Sequence, residues 1–164
     1  MDLMGQPHKL QGYLEILVER AARWRDAGVK LLNSLENSQY ETLLSSVEHR
    51  QKIIDSYQEC LQKCVDELRC AGYEFEDEKI LPFLLDLTHT EPEFESFEED
   101  LLQVRGLIEE TREQERDLLR MVSELPATIR QKLLNVQTQK TGISAYQKNQ
   151  AAPLAQFSRF ERKK

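Results

Sequence analysis

Apolar side chains recur along this chain at alternating intervals of four and three residues, in three separate stretches. In the first, Leu10, Leu14, Leu17, Ala21, Trp24, Gly28, Leu31 and Leu35 mark one narrow face. That rhythm predicts a helix over about residues 9–35. Gly28 weakens a helix by about 1 kcal/mol relative to Ala; on the apolar face it reads as a point of close helix approach rather than a break. Asn33 to Gln39 reads as a turn, with Asn37 or Ser38 available as N-cap for the next helix. The second helix is expected over about 40–70, with Leu43, Val47, Ile54, Tyr57, Leu61, Cys64 and Leu68 on its stripe and Arg50 as the one polar interruption. Leu44, Ile53 and Val65 widen its face. Two such helices joined by a short polar turn are expected to pack as an antiparallel hairpin.

The third stretch carries Phe97, Leu101, Val104, Ile108, Leu118, Val122, Leu125 and Ile129, with Leu133 and Val136 extending it. Thr111 and Glu115 interrupt the stripe halfway. A helix is expected over about 96–141, and Glu98, Glu99 and Asp100 suit the positive end of its dipole. Unbroken, it would span about 65 Å at about 1.5 Å per residue. Pro126 is expected to kink or restart it, because proline lacks an amide donor and crowds the preceding turn. Between the second and third helices the character changes. From Glu74 to Asp100 eleven acidic residues face Lys79 alone, a net of −10, with Tyr73, Phe75, Phe83, Phe94 and Phe97 interspersed and Pro82 and Pro92 as punctuation. A short helix at about 77–87 inside an irregular connection is expected there. Beyond Gly142 the periodicity stops. Residues 147–164, ending in Arg159, Arg162, Lys163 and Lys164, read as a disordered basic tail, which leaves residues 1–146 as a single helical domain. The fold class is all-α: a long antiparallel hairpin plus a third long helix in an elongated bundle or coiled coil.

Composition narrows the function classes. The chain has 164 residues, 31% of them charged, with a formal net charge of −7. That acidity argues against nucleic-acid binding, which needs clustered Lys and Arg at the phosphates. No apolar run approaches the roughly 18 residues of a membrane span. The N-terminus shows neither a basic nor an apolar leader region, so no membrane insertion and a cytosolic location are expected. Cys60, Cys64 and Cys70 form no CxxC pair, and His8, His49 and His89 stand far apart. Neither set has the spacing of a metal site or of a nucleophile with its base. The acidic stretch lacks the alternate carboxylates, central Gly and terminal Glu of an EF-hand loop. No enzyme, metal or cofactor is expected.

What remains is amphipathic surface. The three stripes can be consumed by packing on one another. The third helix, however, is longer than its partners, and apolar residues persist after the core pattern has thinned: Leu133, Leu134, Val136, Ile143, Tyr146, Phe157 and Phe160. Such an overhang suits helix-in-groove docking of another polypeptide.

The layout of "LEILVERAARWRDAGVKLL", then "YETLLSSVEHRQKIIDSYQECL", a variable middle, and "EEDLLQVRGLIEETREQERDLLRMV" resembles the bacterial flagellar export chaperones of the FlgN/FliT type. The ending "LLNVQTQKTGISAYQKN" is similar to the Lys-rich stretch closing on an Ala-Tyr pair in that superfamily, and "FSRFERKK" to the short Phe-and-Lys terminus of some members. The chain departs from the family at Glu113-Gln114-Glu115-Arg116, where its members often carry asparagines, and in an acidic middle richer in Phe and Pro. The resemblance implies a cytosolic type III export chaperone, monomeric or weakly dimeric. Its client would be a disordered or helical terminal segment of a hook-associated or cap protein, handed on to the export apparatus. Carried onto this chain, the implied contacts are Ile129, Leu133, Val136, Ile143 and Tyr146, the stretch that the overhang also indicates. The contrasting reading is a structural coiled-coil stalk or adaptor of a secretion machine, which would use the same stripes to self-associate.

Overall fold

The computed structural model describes residues 6–133, and among them every regular element is helical. Three long helices run as the apolar rhythm requires: α1 (Gln6–Glu36), α2 (Leu43–Cys70) and α4 (Glu98–Ser123), with the short α3 (Ile80–Thr90) between the last two. A 3-10 turn (Asp77–Lys79) leads into α3, and a longer 3-10 stretch (Pro92–Phe97) leads into α4. The expected tail at 147–164 lies outside the described residues.

Helix ends follow local chemistry. α1 closes with Ser38 in the left-handed region (φ 54), where the Gln39 amide donates to Ser34 O at 2.9 Å and the Ser38 amide to Leu35 O at 3.2 Å. This 6→1 and 5→2 pair is a Schellman closure. Asn37 and Ser38 therefore finish α1 and do not cap α2, which starts three residues later than the stripe suggested. Thr42 instead bonds the turn, its Oγ1 donating to Gln39 O. α2 ends the same way, with Gly72 at φ 92, Tyr73 donating to Leu68 O and Gly72 to Arg69 O. At the end of α3, Glu91 is extended (φ −121, ψ 118), as a residue before proline must be. Pro82 lies in the first turn of α3, where its missing amide has no helical acceptor to lose.

Internal packing divides the chain into two compact units, Met1–Arg23 with Asp55–Glu109, and Trp24–Ile54 with Glu110–Lys164. Each unit joins segments far apart in sequence. In the first, Arg20 Nη1 donates to Ser56 O at 2.6 Å and Cys60 Sγ to Tyr13 O at 3.2 Å. As α1 ascends, its partners on α2 descend, so the two helices are antiparallel. Leu14, Leu17, Ala21, Cys64 and Val104 are sealed there. The aromatic residues of the acidic stretch pack into one cluster in this unit. Phe75 stacks on Phe83 at 4.8 Å, Tyr73 meets Phe83 and Phe94 edge-on at 5.9 and 6.1 Å, and Phe94 meets Phe97 at 5.8 Å.

In the second unit Arg25 pairs with Glu110 at 3.7 Å and Arg50 with Glu115 at 3.0 Å. Gln114 lies against Gly28, so contacts advance together along α1 and α4, from Arg25 with Glu110 to Gly28 with Gln114, and the two helices run parallel. The core of this unit holds Leu31, Leu35, Leu43, Val47, Leu118, Val122, Leu125 and Leu133.

Two outcomes follow from these ends and cores. Replacing Ser38 by Gly removes a Cβ from a left-handed position and should stabilise the fold by up to about 1 kcal/mol, read as a higher urea midpoint. Cys60 and Cys64 are 1% and 0% exposed whereas Cys70 is exposed. A thiol reagent should therefore titrate one cysteine rapidly in native protein and all three only in denaturant.

Candidate partner-binding site

The stretch after α4 begins with a restart. The Glu124 and Leu125 amides reach back three residues, to Met121 O at 3.2 Å and Val122 O at 3.1 Å, tightening the last turn. Pro126 donates nothing, but its carbonyl accepts from the amides of Ile129 and Arg130, both at 3.1 Å. A new helical segment then occupies residues 127–133. Of the two outcomes expected at Pro126, the chain takes the restart.

The restart decides where the next apolar residues go. Leu125 before the restart and Leu133 after it belong to one core cluster, with Leu118 and Val122 of α4. Leu133 is 2% exposed, so its side chain is core of the second unit and not open surface. Ile129 is half-buried against the same cluster, together with Leu32, Tyr40, Leu44, Leu119 and Met121. Six apolar side chains thus flank this core while keeping part of their surface in water. Val136, Ile143 and Tyr146 lie outside the described residues.

The polar interruptions in the stripes find one another. Arg50 of α2 and Glu115 of α4 are 2% and 7% exposed and meet through Arg50 Nη2 and Glu115 Oε2 at 3.0 Å. Burial pushes the Glu115 carboxyl up from its ordinary value and the Arg50 guanidinium down, each opposed by attraction to the other. Thr111 and Gln51 are buried as well. Next to Glu115, Gln114 donates its Nε2 to Arg25 O at 2.9 Å. That amide occupies space that glycine leaves open: a Cβ at residue 28 would lie 2.1 Å from Gln114 Oε1. Gly28 is thus a point of close approach, as its place in the stripe suggested. No pairing of Arg50 with Glu115 was drawn from the sequence, yet a signal existed: opposite charges interrupting the stripes of two helices that the fold makes antiparallel.

The first unit has its own polar chemistry. Cys64 hydrogen-bonds Cys60, which lowers the Cys60 thiol, while this bond and burial raise that of Cys64. Tyr73 donates to Glu91 at 2.6 Å, and burial with that bond pushes its phenol up to about 12. Arg69 pairs with Asp77 and lies 5.6 Å over the Phe75 ring. His8, His49 and His89 are exposed. Among the described residues no group of three or more His, Cys, Asp or Glu is placed to hold a metal ion. None of their helices is long and apolar enough to cross a membrane. Compared with known proteins, the chain matches no family model, no curated protein and no solved structure.

Breaking the buried pair from one side should be costly. Glu115→Leu leaves the Arg50 guanidinium buried without its carboxylate and should destabilise by about 3–5 kcal/mol in urea melts. The raised carboxyl also sets a sign with pH. The folded state holds the Glu115 proton more tightly than the unfolded chain, so this contribution is complete below the ordinary carboxylate value and is lost as pH rises through the raised one. Glu115→Gln should flatten that slope in melts taken across the acid-to-neutral range.

Proposed function

We propose that this chain is a cytosolic binding module, not an enzyme, that holds a terminal helical or disordered segment of another protein, as the flagellar export chaperones do. The observation that carries the reading is the set of half-buried apolar side chains flanking the second unit's core: Leu32, Tyr40, Leu44, Leu119, Met121 and Ile129. They pack against the core to which the restarted helix contributes Leu133, and the sequence continues beyond it with Val136, Ile143 and Tyr146. An amphipathic client segment laid along them gains apolar burial at about 25 cal/mol per Å² without unpacking the core. Leu133, already in the core, contributes by holding the restarted segment in place. The client contacts are then Ile129, Val136, Ile143 and Tyr146. The long resemblance in helix order to FlgN/FliT-type chains supports a hook-associated or cap protein as client.

The test is calorimetric titration of the full chain with synthetic C-terminal peptides of flagellar hook-associated and cap proteins. A saturable one-to-one complex is expected. The Val136→Asp, Tyr146→Ala double variant should lose it while its circular dichroism stays nearly unchanged. An unfolded double variant would place those residues in the core and remove them from the site. Failure of every peptide to bind, with self-association in sedimentation instead, would favour a stalk-like role.

A further inference from the structure

All three long helices carry the same four–three apolar repeat, and this creates a problem of register. On α4 the repeat places Val104, Leu118 and Leu125 at equivalent positions, and Leu10, Leu17 and Leu31 are equivalent on α1. Sliding a helix by seven residues, an axial step of about 10 Å, returns apolar side chains to apolar positions. The α1–α2 register is held by the short turn at 37–42. α4 is entered through the 27 residues between Cys70 and Glu98. Their aromatic cluster ties Tyr73 to Phe94 and Phe97 at the start of α4; in the second unit its axial position is set by what its own side chains meet.

We propose that one polar layer in the second unit, Arg50–Glu115 together with Gln114 seated on Gly28, is the register key of α4. Two neighbouring residues of α4 are read by two different helices. Glu115 is read by charge: Arg50 is 2% exposed, and its Nη2 lies 3.0 Å from the Glu115 carboxylate. Gln114 is read by shape and hydrogen bonding: it occupies the space that a Cβ at residue 28 would take and donates to Arg25 O at 2.9 Å. A one-heptad shift that brings Val122 to the Glu115 position leaves a buried guanidinium facing a hydrocarbon. The same shift sets Met121 on Gly28 and removes the side-chain donor that Gln114 adds at Arg25 O. Both penalties fall at a single level, so every neighbouring register is rejected twice while the true one satisfies both helices. The layer is also incompletely satisfied: Arg50 Nε, Glu115 Oε1 and Gln114 Oε1 have no hydrogen-bond partner among the described residues. A layer kept for stability alone would be replaced by apolar residues, since such pairs are often neutral or unfavourable against well-packed hydrocarbon. Its content is specificity.

The test uses spin labels on the full chain at two exposed positions of the second unit, Lys52→Cys on α2 and Arg120→Cys on α4, with exposed Cys70 changed to Ser. Pulsed electron–electron resonance of this otherwise native protein should give one narrow distance. In the triple variant Arg50→Leu, Gln114→Ala, Glu115→Leu, helicity and urea midpoint should hold or rise, and a second distance should appear from α4 displaced by a heptad. Exchanging the charges, Arg50→Glu with Glu115→Arg, should keep a single distance. The proposal is overturned if the triple variant retains one unchanged distance, or if it loses its helical signal. A second distance in the charge-exchanged protein would overturn it equally. None of these readings depends on a client, so the outcome is separate from that of the proposed function.

Discussion

Neither Arg50 nor Glu115 can occupy the core of the second unit alone; each is there because the other is. Removing a guanidinium and a carboxylate from water costs several kcal/mol per ion, and only close mutual placement offsets it. That requirement reaches outward. It fixes which faces of α2 and α4 meet and admits Thr111 and Gln51 as polar neighbours. It also brings Gln114 into line with Gly28 of α1, whose missing side chain leaves room for its amide. Above and below this layer the apolar repeat takes over, non-directional and tolerant, and supplies the bulk of the cohesion.

The acidic connection solves a different difficulty. Eleven carboxylates against one lysine between Glu74 and Asp100 repel one another and draw the chain toward extension. The aromatic side chains threaded among them reverse that tendency. Phe94 and Phe97 are buried at 6% and 2% exposure, and the Phe75–Phe83 stack and Tyr73 join them edge to face. Their rings gain burial and quadrupole contacts, while most of the carboxylates stay at the surface, where water and salt screen them. Tyr73 and Arg69 each bind one carboxylate directly, Glu91 and Asp77. An acidic sequence thereby becomes a structured lead-in to α4.

The helices were legible because their signal is periodic and local. The stripes map onto buried faces, from Leu10 to Leu35 on α1 and from Leu101 to Val122 on α4, except that Trp24 and Ile108 are half-buried beside the buried Ala27 and Leu107. Gly28 was legible too, since a glycine among leucines at helical spacing has few other uses. What the pattern hid was whatever depends on a partner or on one backbone angle. Arg50, Thr111 and Glu115 read as flaws in two stripes until the fold set Arg50 and Glu115 face to face. Ser38 looked like a cap for the next helix because serine favours caps, but its positive φ spends it on closing the previous one. Cys60, between stripe positions, is buried at 1% where Leu61 is only half-buried, because the contact face is broader than a strict repeat. Leu133 was misjudged as overhang because a straight extrapolation ignores how far a proline can redirect a chain.

That proline has a consequence for how order is lost. A helix frays by breaking hydrogen bonds in sequence from its end, each amide released exposing the next. Pro126 has no amide to break. Unwinding that starts among residues 127–133 therefore meets a gap in the ladder before it reaches Ser123, and it reaches α4 only through the core that Leu133 shares with Leu118 and Val122. The proline thus separates two kinds of coupling: residues 127–133 are joined to the helix that carries Glu115 by packed side chains and not by a continuous ladder of amides.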